Sequence, residues 1–226
     1  MTTSEYKLLA IKSSYGAFIN YSYVVVDKTT REAAVIDPSW DLEAILDSLA
    51  AEQATLTHIL LTHSHVDHVN LVGALLERFN PEVYMGAVEI EFFRYQCENL
   101  KPVKDQDAIL LGNTLISCML TPGHTPGSIC FSLQDHIFTG DTLFAEGCGI
   151  CSERGGDPGA MYHSLQKIRE RVHPSVRVYP AHSFGLEPGQ TLDMLLERNI
   201  YFNILDKEQF IAFRMRKNQP DAKSFV

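Results

Sequence analysis

Six consecutive residues, His63-Ser64-His65-Val66-Asp67-His68, place three imidazoles and a carboxylate directly behind the apolar run His58-Ile59-Leu60-Leu61. That run reads as a short strand. A loop leaving a strand end can aim several side chains into one pocket, because the strand fixes where the loop begins. Neutral imidazole and carboxylate are the usual ligands of zinc and other first-row divalent metals. A polar turn or a helix cap explains one such residue, not four at this spacing.

Further candidates stand where other apolar runs end. Thr121-Pro122-Gly123-His124-Thr125-Pro126-Gly127 sets a histidine between two Pro-Gly turns, which direct the backbone stiffly. Phe138-Thr139-Gly140-Asp141 places an acid just after an apolar strand, and Tyr179-Pro180-Ala181-His182 does the same with a histidine after Val176-Arg177-Val178. Taken singly, a loop histidine is more often a surface group and an Asp after Gly a turn former. Together, each at a strand-to-loop junction, they predict a metal site built from His63, His65, Asp67, His68, His124, Asp141 and His182.

The totals suit a globular enzyme. The chain has 226 residues, 45% of them hydrophobic and 21% charged, which argues against disorder and fibrous repeats. No apolar run is long enough to span a bilayer, and the first residues lack the basic head and apolar stretch of a signal peptide. Five scattered cysteines read as reduced thiols, so a cytoplasmic location is expected. Net charge is −9, from 19 basic and 28 acidic side chains, which weakens any nucleic-acid reading. The Lys167-Arg169-Arg171 and Arg214-Arg216-Lys217 groups read first as solvated helix surface.

Residues 21–26 and 33–36 predict strands flanking the turn Asp27-Lys28-Thr29-Thr30, and Leu42, Ile45, Leu46 and Leu49 share one helical face. Leu71, Leu75, Leu76 and Phe79 continue as an amphipathic helix after the histidine segment. Strand patterns at 108–111, 115–120, 128–133 and 136–138 precede helices around Met161 to Arg171 and Leu192 to Phe202. Strand blocks alternating with helices in two similar halves predict an α/β layered fold. We expect a catalytic domain over 1–186 and a helical C-terminal extension over 187–226 packed on it.

The motifs HSHVDH, TPGHTPGS, FTGDTLF and YPAHSFG, in this order from about Tyr21 to Asn199, resemble the metallo-β-lactamase superfamily. The resemblance implies a four-layer αβ/βα sandwich with the metals at one edge, between the sheets. It assigns His63, His65 and His124 to one ion and Asp67, His68 and His182 to a second, with Asp141 bridging both. The implied cofactors are two divalent ions, zinc first, with iron or manganese as competitors because no thiolate is among the ligands. Water on such a pair loses its proton near neutral pH, and a metal can polarise the substrate carbonyl. Asp67 is the expected catalytic residue, orienting the hydroxide besides binding metal.

Within the superfamily, FTGDTLFAEGCG and Glu197-Arg198-Asn199 look like glyoxalase II, the hydroxyacylglutathione hydrolase. Two places depart. Ile150 and Ser152 stand where that family carries a basic residue and a tyrosine that grip glutathione, and Asn70 replaces a small glycine after the HxHxDH motif. NYSYVVVDK, AAVIDPSW, EGCGIC, RVYPAHSFG and FRMRKNQ look more like the zinc-dependent hydrolases of bacterial trans-acyltransferase polyketide synthases. That resemblance implies hydrolysis of acyl thioesters on acyl carrier protein or pantetheine-type thiols, with no nucleic-acid or membrane partner. An acidic carrier would need basic contacts, for which Arg154, Arg214, Arg216 and Lys217 are the candidates. Glyoxalase II, a mononuclear iron oxygenase and a non-catalytic carrier-binding module are the alternatives. Cys148-x-x-Cys151 has no second pair and reads as packed thiols; His58, His136, His163 and His173 fall outside the ligand pattern. Tyr15, Phe18, Tyr21, Tyr162 and Phe184 are candidates for an acyl pocket.

Overall fold

Along residues 20–27 alternate side chains enter different cores: Tyr21, Tyr23 and Val25 join one cluster, Val24 and Val26 another. A strand buried on both faces must lie inside a layered structure. The computed structural model describes residues 5–16 and 18–217. The side chain of Phe18, a candidate pocket residue, lies outside that description, as do Asn218 and Gln219 of the FRMRKNQ stretch.

The first half of the chain forms β1 (Tyr6–Tyr15), β2 (Phe18–Asp27), β3 (Glu32–Ile36), α1 (Leu42–Ala51) and β4 (Thr55–Leu61). It continues through α2 (Val66–Val69), α3 (Val72–Phe79), β5 (Glu82–Gly86), α4 (Ala87–Phe93) and β6 (Leu100–Val103). The second half forms β7 (Ala108–Leu111), β8 (Thr114–Leu120), β9 (Ile129–Ser132), β10 (His136–Gly140), α5 (Pro158–Arg171), β11 (Arg177–Pro180) and β12 (Gln190–Thr191). Helices α6 (Leu192–Arg198), α7 (Ile200–Asn203) and α8 (Lys207–Arg214) end it. Strands β1 to β6 make one six-stranded sheet and β7 to β12 the other, each in sequence order. Both are mixed: β1–β2–β3 are antiparallel before β3 to β6 run parallel, and β10–β11 is the parallel pair of the second sheet.

Three apolar clusters separate four layers. Tyr23, Val25, Ile36 and Leu60 meet Ile116, Phe131 and Phe138 between the sheets. Ile45, Leu49, Val72 and Leu75 of α1 and α3 cover the outer face of the first sheet. Met161, Leu165 and Ile168 of α5, with Leu192, Leu195, Phe202 and Phe210, cover the second. This is the expected αβ/βα sandwich. The C-terminal stretch gives β12 to the second sheet and α6, α7 and α8 to its outer core.

Strands β1, β5 and β6 carry no clear pattern in the sequence. Strand β1 runs buried-exposed only in part, so its period is blurred at an edge, while β5 and β6 span 5 and 4 residues, too few for periodicity. Among the described residues, no helix is long and apolar enough to cross a membrane.

Candidate metal centre

All seven expected ligands come together at one edge of the sandwich, each from beyond a strand end. His63 follows β4, and Asp67 and His68 sit on the short α2. His124 follows β8, Asp141 follows β10 and His182 follows β11. Cross-sheet bonds set this edge: Ile129 N donates to Thr62 O at 2.9 Å, and Tyr21 N to Ala181 O at 2.8 Å. Gly140, at φ +49, has no room for a side chain, because a Cβ there would lie 2.3 Å from Thr62 Oγ1. Its left-handed turn delivers Asp141 beside the histidine loop.

The donor atoms fall into two sets. His63 Nε2 and His124 Nε2 lie 3.1 and 3.0 Å from His65 Nδ1, and His124 Nε2 lies 3.4 Å from Asp141 Oδ2. In the second set, Asp67 Oδ2 is 3.6 Å from His68 Nε2 and 3.4 Å from His182 Nε2. Asp141 Oδ1 is 3.5 Å from each of these two imidazole nitrogens. One carboxylate thus offers one oxygen to each set. Ligands about 2.0–2.1 Å from a tetrahedral zinc stand about 3.3 Å apart, which is the spacing seen here.

Hydrogen bonds on the far side of each ring assign the tautomers. His124 Nδ1 meets the Ile150 carbonyl at 2.7 Å, His182 Nδ1 the Ile19 carbonyl at 2.7 Å, and His68 Nδ1 the Asp37 carboxylate at 3.0 Å. These partners only accept, so each Nδ1 carries the hydrogen. Thr62 Oγ1 donates to Asp37 Oδ2 at 2.6 Å and so accepts from His63 Nδ1 at 3.1 Å. Four Nε2 atoms therefore turn lone pairs, when neutral, toward Asp141 and toward one another. His68 Nε2 and Asp141 Oδ1 are buried with no hydrogen-bond partner. Lone pair against carboxylate is repulsive unless a cation stands between them, so the residues present fit divalent ions.

The electrostatics agree. Burial drives His63 well below the ordinary imidazole range, and the neighbouring imidazoles add to this. Burial also opposes charge on His68, yet the Asp141 and Asp37 carboxylates overcome it and push the ring up to about 9. Burial raises Asp67 less than His182 and His68 lower it, so its carboxyl lies far below the usual range. The second set is thus a place of negative potential that favours positive charge.

Several supporting residues were invisible in the spacing of the ligands. Asp37, buried at the end of β3 with φ 47, serves Thr62 N, Thr62 Oγ1 and His68 Nδ1 together. Its signal was present: an acid after an apolar strand, as at Asp141. Glu89 of α4, fully buried, accepts from Ser64 N at 2.9 Å, Ser64 Oγ at 2.7 Å and Gly127 N at 3.2 Å, tying the histidine loop to the His124 loop. Asn20 Nδ2 donates to Asp67 O at 2.9 Å and Asp67 Oδ2 at 3.2 Å. Trp40 Nε1 donates to Asn20 Oδ1 at 2.9 Å, which fixes the orientation of that amide. Asn70, the departure after the motif, accepts from Trp40 N at 3.0 Å. Asn199 Nδ2 donates to the Phe144 and Gly147 carbonyls, both at 3.0 Å, bracing the loop after Asp141.

Other expectations sort differently. Arg214 is buried, its guanidinium donating to Tyr201 Oη at 2.7 Å, so it is no surface contact for a carrier. It lies four residues after the buried Phe210, on the same helical face. Cys148 and Cys151 are buried free thiols. Tyr21 belongs to the inter-sheet core and Tyr162 bonds to Leu205 O, so neither lines the site. Phe184 does stand beside it, its ring 6.5 Å from that of His182, and Tyr15 stacks on Trp40, whose indole holds Asn20 behind Asp67. Exposed Ile19 and Ile150, whose carbonyls hold His182 and His124, Val66 next to His65, and Phe92 packed on Phe93 beside His65 give the metal edge an apolar rim.

Known proteins share this fold and motif order. A family model for the metallo-beta-lactamase superfamily matches residues 15–182. The chain is 48% identical over 214 residues to the probable polyketide biosynthesis zinc-dependent hydrolase PksB of Bacillus subtilis, covering 95% of each. It is 35% identical over 173 residues to a hydroxyacylglutathione hydrolase of Shewanella loihica, covering 73% of this chain and 62% of that one. The crystal structure of ETHE1 from Myxococcus xanthus superposes with a TM-score of 0.85 at 28% identity, over 96% of this chain and 94% of that one. With its fold, its motif order and the matched region in agreement, the chain belongs to the metallo-β-lactamase superfamily.

Proposed function

We propose that this protein is a metal-dependent hydrolase of acyl thioesters carried on acyl carrier protein or a pantetheine-type thiol in polyketide biosynthesis. The observation that carries the hydrolase reading is Asp141 offering one oxygen to each of two donor sets. Bound there, two divalent ions would supply an acidified water and a Lewis acid for a carbonyl. His63, His65 and His124 would hold one ion, Asp67, His68 and His182 the other, and Asp141 both. PksB and a second probable polyketide biosynthesis zinc-dependent hydrolase, BaeB of Bacillus velezensis, 48% and 46% identical over 95% of the chain, support the biosynthetic setting.

Asp67 keeps its carboxylate ionised and aimed by Asn20, so it can accept a hydrogen bond from the attacking water and orient it. A thioester leaves as a thiolate from a thiol of ordinary pKa about 8.5, so it needs little protonation on departure. No side chain at the rim has to act as an acid. The apolar rim suits an acyl chain, with water excluded as the chain seats.

The 35% identity to hydroxyacylglutathione hydrolases favours glutathione thioesters as a second reading. Against it, residue 150 is an isoleucine whose backbone carbonyl holds His124 and whose exposed side chain is apolar, with no charge to pair with a glutathione carboxylate. Metal-replete enzyme assayed on acyl-pantetheine, acyl-carrier and acyl-glutathione substrates decides: the carrier-type esters are expected to turn over fastest. A strong preference for the glutathione ester overturns the carrier reading, and inertness toward all of them, at full metal content, leaves a binding module.

A further inference from the structure

One cation stands at the rim of the metal centre without a carboxylate against it. Arg154 is exposed, and its guanidinium carbon lies 5.3 Å from the Phe92 ring centroid and 5.5 Å from that of Phe93. Among the described residues no ion pair includes it. Phe93 in turn packs its ring 6.3 Å from that of His65, so a single phenyl separates the guanidinium from a proposed metal ligand.

The loop that carries Arg154 is built into the site. It begins at Gly149 N, which donates to Asp141 O at 3.0 Å, and at Ile150 O, which accepts from His124. It ends at Asp157 N, which donates to Gly123 O at 2.8 Å, beside the same histidine. Gly155, at φ +85, lets this loop lie flat, since a Cβ there would come within 2.7 Å of Pro126 Cγ and 2.8 Å of Phe92 Cε1. Arg154 is thereby laid over the two rings. Stacked on them, a guanidinium keeps its N–H edge available, is less hydrated and gives up little further freedom on binding. Its planar fork matches phosphate oxygens in pairs. In a chain of net charge −9, this is local attraction for an anionic substrate.

We propose that Arg154 is the anion-recognition residue for the leaving-thiol side of the substrate: it binds the phosphate of a phosphopantetheine-type arm while the acyl carbonyl sits at the metal edge. The proposal rests on the thioester reading above. It also explains how the site dispenses with the groups that grip glutathione, because the charge it recognises lies on a phosphate.

The test compares one acyl group on three thiols: pantetheine, 4′-phosphopantetheine and the phosphopantetheine arm of a carrier protein. Wild type, Arg154→Ala and Arg154→Lys are measured metal-loaded, with thermal unfolding as the check on folding. The readout is the ratio of kcat/KM between phosphorylated and unphosphorylated thiols. Loss of a charge-assisted contact should cut that ratio about 10- to 100-fold in Arg154→Ala, through KM, with partial recovery in Arg154→Lys. Loss on the free phosphorylated thiol alone would place the contact on a phosphomonoester, and loss on the carrier-borne substrate as well on the phosphodiester; either supports the proposal. An unchanged ratio, with both substrates slowed equally, makes Arg154 a brace for Phe92 and Phe93 and overturns it. Calorimetric titration with 4′-phosphopantetheine and with pantetheine separates this failure from that of the thioester reading. If no ester is turned over, phosphate-dependent binding lost in Arg154→Ala still supports the subsite, and equal binding of both thiols removes it.

Discussion

At the end of the sandwich away from the histidines, Asp27 closes β2. Its Oδ1 accepts from Thr29 N at 3.0 Å, Thr30 N at 2.8 Å and Thr30 Oγ1 at 3.1 Å. Its Oδ2 accepts from Asn113 N at 3.0 Å and Thr114 Oγ1 at 2.8 Å, across the gap to the second sheet. Asp141 joins the sheets at the opposite end, yet its Oδ1 has no hydrogen-bond partner and faces imidazole nitrogens instead. Two aspartates at opposite ends of the sandwich therefore do different work in one fold. Where the backbone and hydroxyls satisfy the carboxylate, it is a joint; where imidazole lone pairs converge on it, it fits a cation, the role proposed for it above.

Breaking this contrast at Asp141 should have the largest effect. Asp141→Ala is expected to lower kcat/KM on the order of 10³-fold and to reduce bound metal below two equivalents per chain, read by elemental analysis. Full metal content with near-normal turnover would remove Asp141 from the shared position. Next comes the carboxylate behind the second set. Asp37→Asn retains the shape but weakens the acceptor for His68 Nδ1, so metal affinity should fall about 10- to 100-fold in competition with a chelator. Asn20→Ala sharpens the contrast more gently, about tenfold or less in kcat, because it only aims Asp67. Trp40 is the only tryptophan of the chain, so its fluorescence should report the lost bond to Asn20, and unchanged emission would argue against that link.

Asp27→Asn should change turnover least and stability most, by about 3 kcal/mol, because buried donors lose a charged acceptor. Burial opposes ionisation of Asp27, but the Thr30 amide, the Thr114 hydroxyl and the Asn113 amide overcome it and hold the carboxyl below its ordinary value. A lowered carboxyl contributes stability that is present above its unfolded value and lost as pH falls through the folded one. Acid unfolding followed by circular dichroism should therefore be less steep in the variant than in the parent; identical acid limbs would deny Asp27 this role.

The seven residues that gather at the metal edge were legible because ligand chemistry is a property of residue type and their segments follow strand ends. The supporting residues were less legible. Asp37 carries the same strand-end signature as Asp141 but stands 26 residues before His63, with no histidine beside it. Glu89 lies inside a helix of seven residues, and only the packing of α4 against the histidine loop gives it a purpose. Arg214 was misread as surface because charge suggests solvent; its place on the buried face of α8 and the Tyr201 hydroxyl decided otherwise.

The sequence by itself determined the candidate donors, their order along the chain and the apolar run that forms β2. Side-chain chemistry and strand period are local, so they can be read without a fold. Only the tertiary structure decided that Asp141 turns one oxygen to each set, that four rings present Nε2 rather than Nδ1, and that Arg154 lies on Phe92 and Phe93. Those outcomes depend on how two sheets meet across a shared core, where the lone pairs of His68, His124 and His182 are set by residues tens of positions away.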